Sequence, residues 1–290
     1  MRAAVIVDGR IEIEERPDPT PGPSEVLIHV RAAGINGADL AQRAGRYPPP
    51  PGATDVPGLE CAGLTDDGER VMALLPGGGH AELAVAHHTH VLSVPDHLGW
   101  EEAGGFVEVF ATAHDALFTQ AQLREGERVL VNGAAGGVGV AAVQLAVAAR
   151  ASVTANARHH HDELAGLGAD LEVEGDYDVI LELVGGENLS TNLERLAPKG
   201  RIAVIGVGAG ARAEIDFGRL MRTRGRISAS NLRGRTVEEK EDVLRRLEAF
   251  ARPNRFQVPV EEAYPLERAQ EAYERFASGG KFGKIVLTSG

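Results

Sequence analysis

At 290 residues, with 43% hydrophobic and 25% charged side chains, the chain has an ordinary globular composition and exceeds the usual single-domain size. Its formal net charge of −12 argues against nonspecific nucleic-acid binding, and no apolar run is long enough to span a membrane. A single cysteine, Cys61, excludes intrachain disulfides and a cysteine-rich structural zinc site; the absence of a recognisable leader makes the cytoplasm the expected compartment.

From Met1 to about Phe106 the pattern is of short strands broken by Gly and Pro, clearest at 3–7, 25–30, 71–75 and 81–85, with short helices at 38–43 and 100–104. From about Val107 apolar strands alternate with helical stretches. Helices are expected over 112–118, 138–149, 162–167, 189–196 (ended by Gly200) and 237–250. Strands are expected over 129–132, 152–155, 178–184, 201–206 and 227–230. Such alternation predicts a parallel sheet covered on both faces. After Pro253 a strand over 256–260, a helix over 266–277 and a strand over 284–287 form no further βαβ unit, so this tail is expected to rejoin the first domain. The domains are therefore 1–109 with 253–290, and 110–252, with the active site expected in the cleft between them.

The most informative stretch is Val129 to Gly139, in which a buried strand runs into Gly133-x-x-Gly136-x-x-Gly139 and then an apolar helix. Small residues permit a tight turn, close approach of a pyrophosphate and close packing of helix on sheet, while the free N–H groups of the first helical turn face the anion. A dinucleotide site is expected at Gly133, Ala134, Gly136, Gly137, Val138 and Gly139. Val184, Gly206 and Gly208 follow later strands and fit the crevice at the carboxyl edge, although each small residue can also simply end its strand. Sites that bind NAD usually place Asp or Glu about 20 residues past the first glycine. Here no acidic residue occurs between Val129 and His161, and Asn156, Arg158 and His159 follow the second strand instead. An arginine can meet a 2′-phosphate with several donors where a carboxylate would repel it, so NADPH is preferred over NADH. Arg158 also fits a solvated position after a strand.

The run NGAAGGVGVAAVQLA (132–146) resembles the nucleotide loop of zinc-independent quinone oxidoreductases in the medium-chain dehydrogenase/reductase superfamily. Gly34-Ile35-Asn36-Gly37-Ala38-Asp39, Pro57-Gly58-Leu59-Glu60, 70–74 and the closing 283–287 extend the resemblance along nearly the whole chain. It implies an α/β protein in which a GroES-like β-rich catalytic domain is interrupted by a Rossmann domain. It further implies NADPH as cofactor, hydride transfer to a quinone or similar electron-poor acceptor, and a homodimer. Zinc-dependent relatives carry cysteine and histidine where this chain has Asn36 and Leu59, so no metal is expected, and Cys61 reads as a core filler. The stretches 61–70 and 171–178 look shorter than in the family, which bears on the choice of acceptor.

On the same resemblance, Tyr47 is the candidate hydrogen-bond donor or stacking wall for the acceptor, and Asn36 a candidate for orienting nicotinamide or substrate. Thr112 would bind the cofactor near its nicotinamide end, and Arg233 is a secondary phosphate contact. Glu108 reads equally as buried support or as a catalytic group. His80, His87, His88 and His90 read as surface or strand residues, and the strand at 227–230 is a candidate dimer edge. The rival readings are an NADPH-dependent enone or 2-alkenal reductase on the same frame, and a nonenzymatic NADPH-binding or sensing protein.

Overall fold

The computed structural model describes residues 1–290 and divides into two compact units, Met1–Val109 with Arg233–Gly290, and Phe110–Leu232. The second boundary thus lies earlier than the expected 252/253, because helix Val237–Ala251 belongs with the first unit. Its cap, Thr236, accepts from Glu239 N, and His90 Nε2 lies 3.2 Å from Val237 O near the start of the helix.

In the first unit, Arg2–Val7 and Arg10–Glu15 form an antiparallel hairpin. Its two-residue turn, Asp8–Gly9, has positive φ at both positions (48° and 76°), matching the twist of the strands it joins. A separate seven-stranded sheet is built on the long strand Glu25–Gly34. One edge of that strand pairs with Glu60–Thr65; the other carries Leu83–His87 along its first half and Lys284–Thr288 along its second. The C-terminal strand is thereby placed beside Gly34. Ile28, Val30, Ala33, Cys61, Val71 and Ala84 fill one core, while Ile35, Tyr273, Ile285 and Leu287 fill another under helix Ala269–Ala277. The strand expected over 256–260 forms instead at Val260–Pro265, pairing with Lys284–Thr288. Pro259 has no N–H for a ladder, and Phe256 stacks on Phe250 with ring centroids 6.2 Å apart.

The second unit holds a five-stranded sheet in the order Arg226–Ala229, Leu196–Val204, Tyr177–Glu182, Arg128–Asn132, Ser152–Asn156, every neighbouring pair parallel. Its central strands are apolar on both faces: Val129, Val131, Val179, Ile180 and Leu181 are all fully buried. Burying a side chain such as Ile180 contributes roughly 1.5–3 kcal/mol. Gly200 does not end a helix as expected. The strand already begins at Leu196, which pairs with Tyr177, and the next pair is Arg201 with Val179, so residues 197–200 bulge out of the ladder. Helix Phe217–Thr223, absent from the sequence reading, starts at Asp216, whose side chain accepts from Arg219 N. The helix expected over 112–118 is a longer one, Val107–His114, running on into a π-helical turn at Asp115–Gln120.

Candidate functional site

In the second unit the expected dinucleotide residues gather at the carboxyl ends of adjacent strands. Gly133 follows Arg128–Asn132, Asn156 ends Ser152–Asn156, Val184 follows Tyr177–Glu182, and Gly206 follows Leu196–Val204. Gly133 has φ 78°, and the N–H groups of Gly133 and Ala134 turn inward to Asn156 O at 3.0 and 3.2 Å. They close the loop, so an anion must be met further on. Helix Gly137–Ala148 starts at Gly136, which offers no side-chain cap, and its first internal bond is Val140 N to Gly136 O. The N–H groups of Gly137, Val138 and Gly139 are therefore the donors of the helix start. Gly139 is a steric requirement: a Cβ there would lie 2.4 Å from Gly133 O. The loop accordingly fits a pyrophosphate. Arg158 and His159 follow just past the second strand, and Gly208 is exposed past the fourth. Thr112 is half-buried on helix Val107–His114.

Beneath these strand ends runs a polar network that sequence reading missed. Glu182 is 1% exposed. Its Oε1 accepts from Val184 N, Gly185 N and Asn188 Nδ2, and its Oε2 from Asn132 Nδ2 and Asn192 Nδ2, all within 2.7–3.2 Å. Asn132 Oδ1 accepts in turn from Asn156 Nδ2 at 2.8 Å. The backbone of Glu182 extends the chain, since its carbonyl accepts from Gly206 N at 3.1 Å. Through its carboxylate and its carbonyl, Glu182 thus ties the ends of four strands together. The available sequence signal is a lone carboxylate closing an apolar run, Val179-Ile180-Leu181-Glu182.

The first unit contains a second, differently built cluster. Lys284 and Glu60 are 2% and 0% exposed and form an ion pair at 2.7 Å. The ammonium also donates to Ile35 O and Asn36 Oδ1, while Asn36 Nδ2 donates to Gly34 O and Glu60 Oε1. A Cβ at Gly34 would sit 2.6 Å from Glu60 Oε1, so only glycine lets the pair close. Asp39 Oδ2 accepts from Asn36 N and its Oδ1 from Gly58 N. The amide of Asn36 is thus engaged within the protein, and the residue braces the cluster.

Glu108 joins this cluster from the start of helix Val107–His114, its N–H donating to Glu60 Oε2 at 3.0 Å. Desolvation, together with the charges of Glu60 and Asp39, pushes its carboxyl up to about 8. Tyr47 is half-buried; burial and then Glu108 raise its phenol above the ordinary value. The Arg233 guanidinium lies over the Tyr47 ring at 5.2 Å, and its Nε and Nη2 donate to Pro76 O at 2.9 and 2.7 Å. Arg233 Nη1 reaches Tyr47 O at 3.4 Å. Arg233, the secondary phosphate candidate, is 6% exposed, and these contacts tie it to Pro76 and Tyr47 of the first unit.

The histidines divide. His80 is fully buried, its Nδ1 2.8 Å from Tyr273 Oη, and burial lowers its pKa, so it is a core residue rather than a surface one. His90 is buried as well, while His88 is exposed. Cys61 is buried and its thiol is pushed up to about 12 by burial, in keeping with a packing role. Around Asn36, Leu59 and Cys61 the donor set is an amide, an alkyl group and a protonated thiol, a poor match to the Cys, His and carboxylate ligands of a zinc site. No group of three or more His, Cys, Asp or Glu side chains is placed to hold a metal ion.

Residues 22–118 match the alcohol dehydrogenase GroES-like domain and residues 167–287 the zinc-binding dehydrogenase family. The quinone oxidoreductase of Mus musculus is 32% identical over 93% of this chain and 90% of its own length. The chain belongs to the quinone-oxidoreductase-like family. Among solved structures, this family member resembles the quinone oxidoreductase from Thermus thermophilus, whose structures include a complex with NADPH, at 31% identity and a TM-score of 0.87 over all of both chains. It also resembles a cobalt- and zinc-bound alcohol dehydrogenase from Pyrobaculum aerophilum, at 26% identity and a TM-score of 0.83 over 100% of this chain and 99% of the other. As an oxidoreductase of this family, it pairs a GroES-like β-rich domain with a Rossmann-like nucleotide-binding domain. Its segments 42–52 and 220–235 have a pattern similar to the p53-inducible quinone oxidoreductase. The comparisons support the broader family and not that particular member. No helix is long and apolar enough to cross a membrane.

Proposed function

We propose that this chain transfers hydride from NADPH to a quinone or similar electron-poor acceptor without a catalytic zinc. The observation that carries the reading is the full-length likeness to a quinone oxidoreductase solved with NADPH. Bound NADPH would supply the hydride, and therefore both electrons. The residues of this chain supply position and charge. The N–H groups of Gly137, Val138 and Gly139 hold the pyrophosphate, with Gly133, Ala134 and Gly136 shaping the loop around it. Arg158 and His159 meet the 2′-phosphate, while Val184, Gly206 and Gly208 line the carboxyl-edge crevice and Thr112 supports the nicotinamide end. Tyr47 donates to, or stacks on, the acceptor, and the Asn36–Glu60–Lys284 cluster braces its surroundings.

The protein is proposed to work as a cytoplasmic homodimer. Strand Arg226–Ala229 lies at an edge of its sheet, and Phe217 and Met221, in the same unit, are 68% and 75% exposed. Sedimentation as a monomer at micromolar concentration would remove this part of the reading.

Paired titrations with NADPH and NADH, followed by turnover with a small quinone and a 2-alkenal, test the whole proposal. Tighter NADPH binding with quinone-dependent oxidation supports it. Faster alkenal turnover reassigns the acceptor, and binding without turnover indicates a sensor. Arg158→Ala should weaken NADPH about tenfold, the effect of roughly 1.4 kcal/mol, and leave NADH nearly unchanged. Equal losses for both cofactors would deny Arg158 the reading of the extra phosphate.

A further inference from the structure

The pyrophosphate and the extra phosphate of NADPH hang on one ribose, the first on its 5′ side and the second on its 2′ oxygen. Their separation is set by the ligand. A chain that reads both has to hold two sets of donors at one spacing, or lose affinity in ordering them at each binding event. The turn after the second strand of the parallel sheet is fixed at both ends, and two histidines, His160 and His161, close it.

The near end of this turn is Asn156. Its carbonyl accepts from Gly133 N and Ala134 N at 3.0 and 3.2 Å, and its Nδ2 donates to Asn132 Oδ1 at 2.8 Å. The turn therefore leaves the sheet in register with the glycine loop. The far end is closed by side chains. His161 Nε2 lies 2.9 Å from Ala157 O; a carbonyl only accepts, so the ring donates and bridges the turn. His160 has φ 66° and ψ 39°, a left-handed conformation that turns the chain into helix His161–Gly166. Its Nδ1 lies 3.1 Å from Glu163 Oε1 in that helix. Between these fixed points stand Arg158 and His159. Both are exposed, and neither side chain has a hydrogen-bond or ion-pair partner in the chain. The His159 ring meets that of His160 edge-on, with centroids 6.5 Å apart.

We propose that His160 and His161 are positioning residues for cofactor choice: by pinning the turn over 157–161 they hold Arg158 and His159 ready for the phosphomonoester of a 2′-phosphorylated adenosine. The inference rests on the NADPH reading above. On a loose turn the arginine would have to be ordered whenever the cofactor binds. That penalty would fall on the 2′-phosphorylated cofactor alone, since NADH has no phosphate for either side chain to meet. The turn thus sets specificity, while the glycine loop holds the pyrophosphate that both cofactors share.

The test titrates the whole protein with adenosine 2′,5′-bisphosphate and with 5′-AMP, which differ only in the 2′-phosphate, so that no turnover is needed. The parent should prefer the bisphosphate about tenfold, the effect assigned to Arg158. His161→Ala should lower that preference about fivefold, with the Kd for 5′-AMP changed by less than about twofold. His161→Gln, whose Nε2 can still donate to Ala157 O, should restore it. Glu163→Ala frees His160 and should shift the preference the same way by less, which serves as the readout if H161A fails to fold. In an Arg158→Ala background H161A should have little further effect, because the pin acts through that side chain. An H161A protein with the parental preference overturns the proposal. So does one that loses both nucleotides alike, which would make the histidine a general support of the fold. If the parent itself shows no preference for the bisphosphate and R158A leaves its binding unchanged, it is the NADPH reading that fails, and the positioning role falls with it.

Discussion

Glu182 in the sheet unit and Glu60 in the β-rich unit are both buried carboxylates, and their surroundings have little in common. Glu182 is held by neutral donors: two backbone N–H groups and three asparagine amides. Glu60 is held by an ammonium, Lys284, together with the amide of Asn36 and the backbone of Glu108. Glu108, beside it, meets the same problem a third way, by keeping its proton. Burying a carboxylate is costly unless it is solvated from within, paired, or neutralised. The distributed arrangement ties strand ends together without placing a net cation near a phosphate-binding loop. The paired arrangement fixes one charge so firmly that it can tune the next.

The contrast is broken most severely at Lys284. Lys284→Met should cost about 3–5 kcal/mol of stability, because the Glu60 charge stays buried without its partner. Adding Glu60→Gln should recover part of that loss, and a double-mutant cycle in denaturant would read the coupling. Additive losses would show that the pair is not an energetic unit. Glu182→Gln should cost less, about 1–3 kcal/mol, since Gln offers one acceptor oxygen and turns an N–H₂ toward donors. Because the same network fixes Asn132 and Asn156 around Gly133, E182Q should also weaken NADPH binding while leaving the pH profile of turnover in place. An E182Q protein with parental stability would mean that the amides re-pair at little cost.

What the sequence disclosed and what it hid follow the same divide. The glycine loop, the apolar strands and the helix after them are local patterns, and their spacing expresses the fold directly. The ionic cluster is not local: Lys284 and Glu60 are separated by 224 positions, and Lys284 reads in the sequence only as the first residue of a closing strand. Arg233 shows the same limit. Its position in a family-like segment suggests phosphate, but its bonds go to Pro76 O and Tyr47 O, 157 and 186 positions away. Glu182 is hidden for another reason. A carboxylate at the end of an apolar strand is as compatible with solvent as with a buried ring of amides, and only the packing of Asn132, Asn188 and Asn192 against it decides.

A pH-dependent effect separates Glu108 from both of the other carboxylates. Its folded pKa, about 8, lies above the ordinary value of 4.5, so the folded protein binds the proton more tightly than the unfolded chain does. Stability from this group is then fully present below about pH 4.5 and is lost progressively as pH rises toward 8, with no further loss above. Gln at this position is neutral throughout. The difference in unfolding midpoint between E108Q and the parent should therefore shift in favour of E108Q across that window, by about 10 °C or more at roughly 1.4 kcal/mol per pKa unit and about 2–4 °C per kcal/mol, and flatten beyond it. A difference that stays constant from pH 5 to 9 would mean that Glu108 titrates alike in the folded and unfolded chains. The protein would then hold Glu108 as a further carboxylate beside the Glu60–Lys284 ion pair.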